Sequence, residues 1–139
     1  MISNADIQAA WIAKIKPTST VTARVPAVEV REDQWKGERF TYPNIRVKLG
    51  LLTPTQPNSV CLVFRSEVAI RVYVEQKSSK TADEIAGIIA TAFWSHPFSQ
   101  SGVKFIAVNL TSIEPADVPE WDENSWLSTV NFTCLVSAA

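Results

Sequence analysis

Apolar and polar residues alternate with period two around Glu67–Glu75. Val68, Ile70, Val72 and Val74 fall on one side, and Glu67, Arg71, Tyr73 and Glu75 on the other, with Ala69 in the second set. That is the pleat of a half-buried strand, and the pattern predicts one long strand over Val60–Gln76. The period then changes. Ile85, Ala86, Ile89, Ala92 and Phe93 lie on one helical stripe. Ser79 or Thr81 caps this helix, Thr81 and Glu84 form a T-x-x-E capping box, and Pro97 ends it.

The rest of the chain reads in the same way. A first helix starts near Ser3 or Asn4, with Ser3 and Asp6 as its capping pair. Its apolar stripe is Ile7, Ala10, Trp11 and Ile15, and Pro17 closes it. Thr18–Val25 is read as a strand or a loop, and Val28–Arg31 as a short strand. Glu32–Pro43 mixes charges with three aromatics and shows no period, so it is read as a long exposed loop; loops of that length usually carry function or disorder. Asn44–Leu51 alternates again, with Ile45, Val47 and Leu49 opposite Arg46 and Lys48. Thr53–Ser59, with Pro54, Pro57 and Asn58, is a turn. Val103–Ile113 is a strand, Glu114–Asn124 an acidic loop, and Trp126–Ser137 the last strand, with Trp126, Val130, Phe132, Cys134 and Val136 on one face.

This order predicts a single α+β domain over 1–139: a mixed, largely antiparallel β-sheet with two helices packed on one face. The strand–helix–strand unit crosses over right-handed, and the last two strands form an antiparallel pair joined by the acidic loop. A chain of 139 residues buries a sizeable core without metals or disulfides. No apolar run approaches the roughly 20 residues of a membrane span, and no signal peptide is expected at the start.

Net charge is −1, but it is unevenly distributed. Residues 1–71 hold ten Lys and Arg against six Asp and Glu, a surplus of +4; residues 72–139 hold three against eight, −5. Such halves suit head-to-tail self-association, or are simply solvated. The basic residues form no stripe, so specific nucleic-acid binding is not indicated.

Candidate chemistry is sparse. His96 is the only histidine and has no partner at metal-ligand spacing. Cys61 and Cys134 sit in strand-like runs and read as buried structural thiols, with a disulfide open only if their strands are neighbours. The four glycines are isolated, so there is no Rossmann or P-loop fingerprint. The acids of 114–123 lack EF-hand spacing, and Pro115 and Pro119 stiffen the segment. Asn109-Leu-Thr and Asn131-Phe-Thr are chance glycosylation matches inside strands. No enzyme, cofactor or metal is expected. Of five tryptophans, Trp11, Trp94 and Trp126 occupy core-like positions. Trp35 and Trp121 lie in charged loops, which favours a protein–protein surface.

An N-terminal helix leads to a short strand and a long loop. PNIRVKL follows, then SEVAIRVYVEQKSSKTADEIAGIIATAFW, the acidic EPADVPEWDENSW and a final LSTVNFTCLVS. Over nearly the whole chain this order resembles the tail terminator, or tail-completion, proteins of long-tailed phages. The resemblance rests on element order and length rather than on an invariant motif. It implies a virion protein, made in the bacterial host cytoplasm, that forms a ring, usually hexameric, at the head-proximal end of the tail tube. Such a ring ends tube polymerisation and joins the tail to the head-tail connector, while DNA passes through its lumen without specific binding. The implied partners are further copies of the chain, the tail tube protein and the connector, with no membrane involved. The contact residues expected from the two loops are Trp35, Arg39, Phe40, Tyr42, Asp117, Glu120, Trp121, Asp122 and Glu123. The alternatives are another head-tail joining or minor tail component, and a small bacterial ligand-binding or enzymatic domain with a concave pocket of converging polar groups.

Overall fold

A computed structural model describes residues 2–33, 41–55, 63–75, 77, 79–119 and 125–138. Helix α1 (Asn4–Ile15) starts as the sequence predicts. The Ser3 hydroxyl accepts from the Asp6 N–H, and the Asp6 carboxylate accepts from the Ser3 N–H at 2.8 Å. Helix α2 (Ser19–Thr22) and a 3-10 turn (Ala27–Glu29) lead to β1 (Val30–Glu32). The order continues with β2 (Asn44–Pro54), β3 (Phe64–Glu75), α3 (Ser79–Phe93), β4 (Phe98–Gln100), β5 (Val103–Asp117) and β6 (Ser125–Ala138).

The strands form one six-stranded sheet in the order β1-β2-β3-β6-β5-β4. Only β1 and β2 pair in parallel. The final strands pair antiparallel, as expected. β6 lies between β3 and β5, which run parallel to each other without touching, and α3 leads from β3 into β4, the antiparallel partner of β5 at the far edge.

The expected α+β class with two helices on one sheet face is corrected. The molecule is mostly one curled mixed sheet, a half-barrel, with three short helices; about half of the described residues are strand and 29% helix. Contacts of α1 show the curl. It packs on β1 and β2 at one edge and on β4 and β5 at the other. A flat six-stranded sheet would be about 24 Å wide, whereas a helix with its side chains is about 10 Å across. One helix touches both edges only if the sheet wraps around it. Register shifts between Leu49 and Leu52, Phe105 and Ala107, Leu110 and Ser112, and Glu114 and Asp117 supply the bends.

Local readings also change. Thr18–Val25 holds a helical turn rather than a strand. Thr18 Oγ1 donates to the Lys14 carbonyl at 2.8 Å, and the Val21 and Thr22 amides donate to the Thr18 carbonyl. The short β4 was hidden in the turn-like HPFSQSG. It pairs with β5 through a two-residue turn, Ser101-Gly102, in which both residues have positive φ (53° and 79°). That is the conformation hairpin turns ask of their central pair. β5 runs on through Pro115 into the segment expected to be loop; an edge strand tolerates a proline because no ladder bond need be lost. Thr81 and Glu84 are both inside α3 rather than at its start. Glu84 pairs with Arg24 at 3.1 Å and with Lys80 at 3.8 Å.

The core fills the hollow of the sheet. Trp11 is fully buried, with its ring centroid 5.3–5.6 Å from those of Phe93, Phe98, Phe105 and Phe132. Phe98 also stacks on Phe105 at 4.2 Å. The inward residues of β3 and β6, including Val68, Ile70, Val72, Val130, Phe132 and Cys134, complete one continuous apolar cluster with α3.

Candidate interaction surface

Alternation along the strands leaves a second, outward face. The registers Arg31↔Arg46 and Arg46↔Arg71 place three arginines in one row across β1, β2 and β3, and the row continues through Thr129 and Glu114. Like charges directly opposite each other are unfavourable, so the row requires acids. Arg46 is 2% exposed. Its Nη1 donates to the carbonyls of Glu29 (2.7 Å) and Ile45 (3.1 Å), and its Nη2 lies 3.9 Å from the Glu29 carboxylate. Burial pulls the Arg46 pKa below the usual guanidinium value, and Glu29 opposes that pull. Asp33 stands 3.6 Å from Arg71. The 3-10 turn and the end of β1 thus bring carboxylates to a row that β2 and β3 fill with cations.

Two concavities meet at Arg71. One, about 440 Å³, crosses β2, β3, β6 and β5 where outward side chains are small: Gly50, Ala69, Ser112 and Thr133. Thr111 and Thr133 hydroxyls bond across it at 2.8 Å, and Asn131 donates to Ser112 Oγ and to the Glu114 carboxylate. The other, about 570 Å³, runs from Arg71 along Glu114–Pro119 to Leu127. This surface is polar, mixed in charge and open.

Of the expected contact residues, Tyr42 and Asp117 are described. Tyr42 is half-buried just before β2; Asp117 is exposed and accepts from the Val118 amide at 2.8 Å. The registers Asn44↔Tyr73 and Asp117↔Leu127 put both at the same end of the sheet, separated by β3 and β6. Trp35, Arg39, Phe40, Glu120, Trp121, Asp122 and Glu123 lie outside the described residues, as does Cys61.

Trp94 corrects an expectation. It was read as core, yet it is 54% exposed. Phe93 takes the last inward position of α3, and Ser95 has φ 61°, which turns the chain away from the helix. His96 is exposed, with Nδ1 2.7 Å from the Trp94 carbonyl. Cys134 is buried, and burial pushes its thiol up to about 12. Among the described residues, no three His, Cys, Asp or Glu side chains are gathered to hold a metal ion. No helix among the described residues is long and apolar enough to cross a membrane.

The fold is shared with a virion component. A chain of the solved "Virion of native gene transfer agent (GTA) particle" superposes with a TM-score of 0.74, covering 96% of this chain and 98% of that one at 16% identity. A second solved chain matches with a TM-score of 0.63 and 15% identity, covering 100% and 99%. No protein-family model and no curated protein matches the sequence. At these identities the likeness concerns the fold.

The arginine row escaped the sequence reading although Arg46 and Arg71 were each visible on a polar face. What joins them is strand register, which pairs residues far apart in the chain. The only local signal is Arg-Glu-Asp at 31–33.

Proposed function

We propose that this chain is a structural, non-catalytic component of a phage-like virion, acting as a tail terminator. Copies form a ring, a hexamer by analogy with the resembling family, at the head-proximal end of the tail tube. The ring ends tube growth and meets the head-tail connector, with DNA passing through its lumen. The supporting observation is end-to-end fold similarity to a chain of a phage-like particle, 96% and 98% coverage at a TM-score of 0.74. The element order of the sequence points the same way. Trp35, Arg39, Phe40 and Tyr42, with Asp117, Glu120, Trp121, Asp122 and Glu123, are the proposed contacts to tube and connector. In the sequence they precede β2 or lie at and beyond the end of β5.

The test is to add purified chain to polymerising tail tube protein. The proposal expects tubes that stop growing and carry a ring at one end by electron microscopy. Tubes that grow on unaffected, with the chain left free, contradict it.

A further inference from the structure

We propose that the two open edges of the sheet mate between copies, the β5 edge of one copy pairing with the β2 edge of the next. This rests on the ring reading above and names the contact that closes the ring.

The edges come first. β1 pairs with β2 only over Ile45–Val47, and β4 with β5 only over Val103–Phe105. Among the described residues, no strand lies on the side of β2 away from β3 from Lys48 to Pro54, or on the side of β5 away from β6 from Ile106 to Asp117. The molecule itself holds the ends of these stretches. The Val47 carbonyl accepts from the Asp33 amide and from Gln8 Nε2. On β5, the Ser95 amide donates to the Val108 carbonyl at 2.9 Å, and the Ala116 amide donates to Asp83 Oδ1 at 2.8 Å. Asn109–Pro115 is left between them. An open strand edge presents outward backbone groups and templates another strand.

The side chains on these edges are unlike those of a protected edge. Leu51 on β2 is 73% exposed; Ile106 and Ile113 on β5 are 40% and 43% exposed. Single exposed apolar residues are ordinary, but here three of the large ones fall on the two uncovered strands. Natural edges are usually blunted by charge or shortness.

Charge decides which edge meets which. The strand order keeps the two halves of the chain apart: β1, β2 and most of β3 come from the half with a surplus of +4, and β6, β5 and β4 from the half at −5. On the open stretches themselves, β2 carries Lys48 and no acid, while β5 carries Glu114 and Asp117 and no base. Pairing β5 with β5 opposes acids, and pairing β2 with β2 opposes lysines; β5 with β2 joins opposite signs. The two edges lie on opposite sides of the sheet, so each copy offers one of each. That is a heterologous contact, which closes into a ring when the rotation per copy allows.

The experiment uses full-length Leu51→Glu and Ile113→Lys chains, each placing on its edge a charge like that of the opposite edge, with and without tail tubes, read by native mass spectrometry and sedimentation velocity. Both positions are exposed, so melting temperatures should stay near wild type; this control separates lost assembly from lost folding. Each variant alone should associate more weakly by roughly tenfold or more. Mixed one to one, they should give heterodimers and nothing larger, because one copy keeps its β5 edge and the other its β2 edge. Variants that assemble like wild type overturn the edge contact while leaving the ring reading intact. Dimerisation of either variant alone as tight as that of the mixture also overturns it, because the β5–β2 contact is intact only in the mixture. A wild-type chain that never associates, even on tail tubes, removes the ring reading and this contact together.

Discussion

The inward and outward faces of this sheet are made by the same strands and are chemically opposite. Inside, Ile70, Val72, Val130 and Phe132 join the cluster around Trp11. Outside, Arg46, Arg71, Thr129, Asn131 and Thr133 come from the same strands one residue out of phase. The inner face removes apolar area from water and explains why the chain folds. The outer face places arginines opposite one another and needs Glu29 and Asp33 to offset them. Nothing about folding asks for that arrangement, since aliphatic or threonine residues would serve a solvated sheet face as well. Stability therefore resides in the hollow of the sheet, and the outer face and edges are free to be shaped by partners.

The contrast predicts a graded set of mutational effects. Trp11→Ala should be the most damaging, lowering unfolding free energy by roughly 3–5 kcal/mol in a denaturant titration. Trp11→Phe should cost much less, about 1.5 kcal/mol at most; the indole N–H it removes has no hydrogen-bond partner among the described residues. Equal costs for the two would show that the ring cluster is not the anchor. Arg46→Ala comes next. Removing a buried cation from the half-open Glu29 pair should cost about 2 kcal/mol, less than for a fully enclosed pair. Arg46→Met should recover much of that loss, because it keeps the volume and relieves the opposition to Arg31 and Arg71.

Smaller effects follow. Ser3→Ala removes the cap of α1 and should cost about 1 kcal/mol. The Ser3 backbone amide, and after it the Ser3 hydroxyl, hold the Asp6 carboxyl below its usual value. A lowered acid stabilises the fold above its unfolded pKa, and that contribution is lost as pH falls through the folded one. The stability gap between wild type and Asp6→Asn should thus be present near neutrality and vanish in acid; a gap that persists at low pH would contradict the assignment. Cys134 behaves in the opposite sense. Its raised pKa favours the folded state below the ordinary thiol pKa, and that advantage fades as pH climbs toward about 12. In a Cys61→Ser chain, a thiol reagent at mildly alkaline pH should label nothing until denaturant unfolds the protein. Fast labelling of the native chain would contradict its burial.

Much of the inner face could be read from sequence, because helical stripes and strand alternation are local. Ile7, Ala10, Trp11 and Ile15 form the buried stripe of α1, and the Ser3–Asp6 box starts it. The features that were missed are non-local or too short to show a period. β4 has three residues, and α2 is a single turn held by Thr18. The half-barrel comes from register shifts that only strand pairing defines. Trp94 looked like core because it follows an apolar stripe, but the stripe ends at Phe93 and Ser95 redirects the chain. Of the nine residues expected to make contacts, Tyr42 and Asp117 are described and share one end of the sheet, whereas the arginine row and the open edges needed the strand order.

The separation between what folds the chain and what assembles it is tested most directly by measuring melting temperature and oligomer mass on the same Leu51→Glu sample. The account predicts melting within a few degrees of wild type, as expected for a surface change worth about 0.5 kcal/mol or less, together with collapse of the assembly toward monomer. An assembly of unchanged mass, or a large drop in melting temperature, would contradict it.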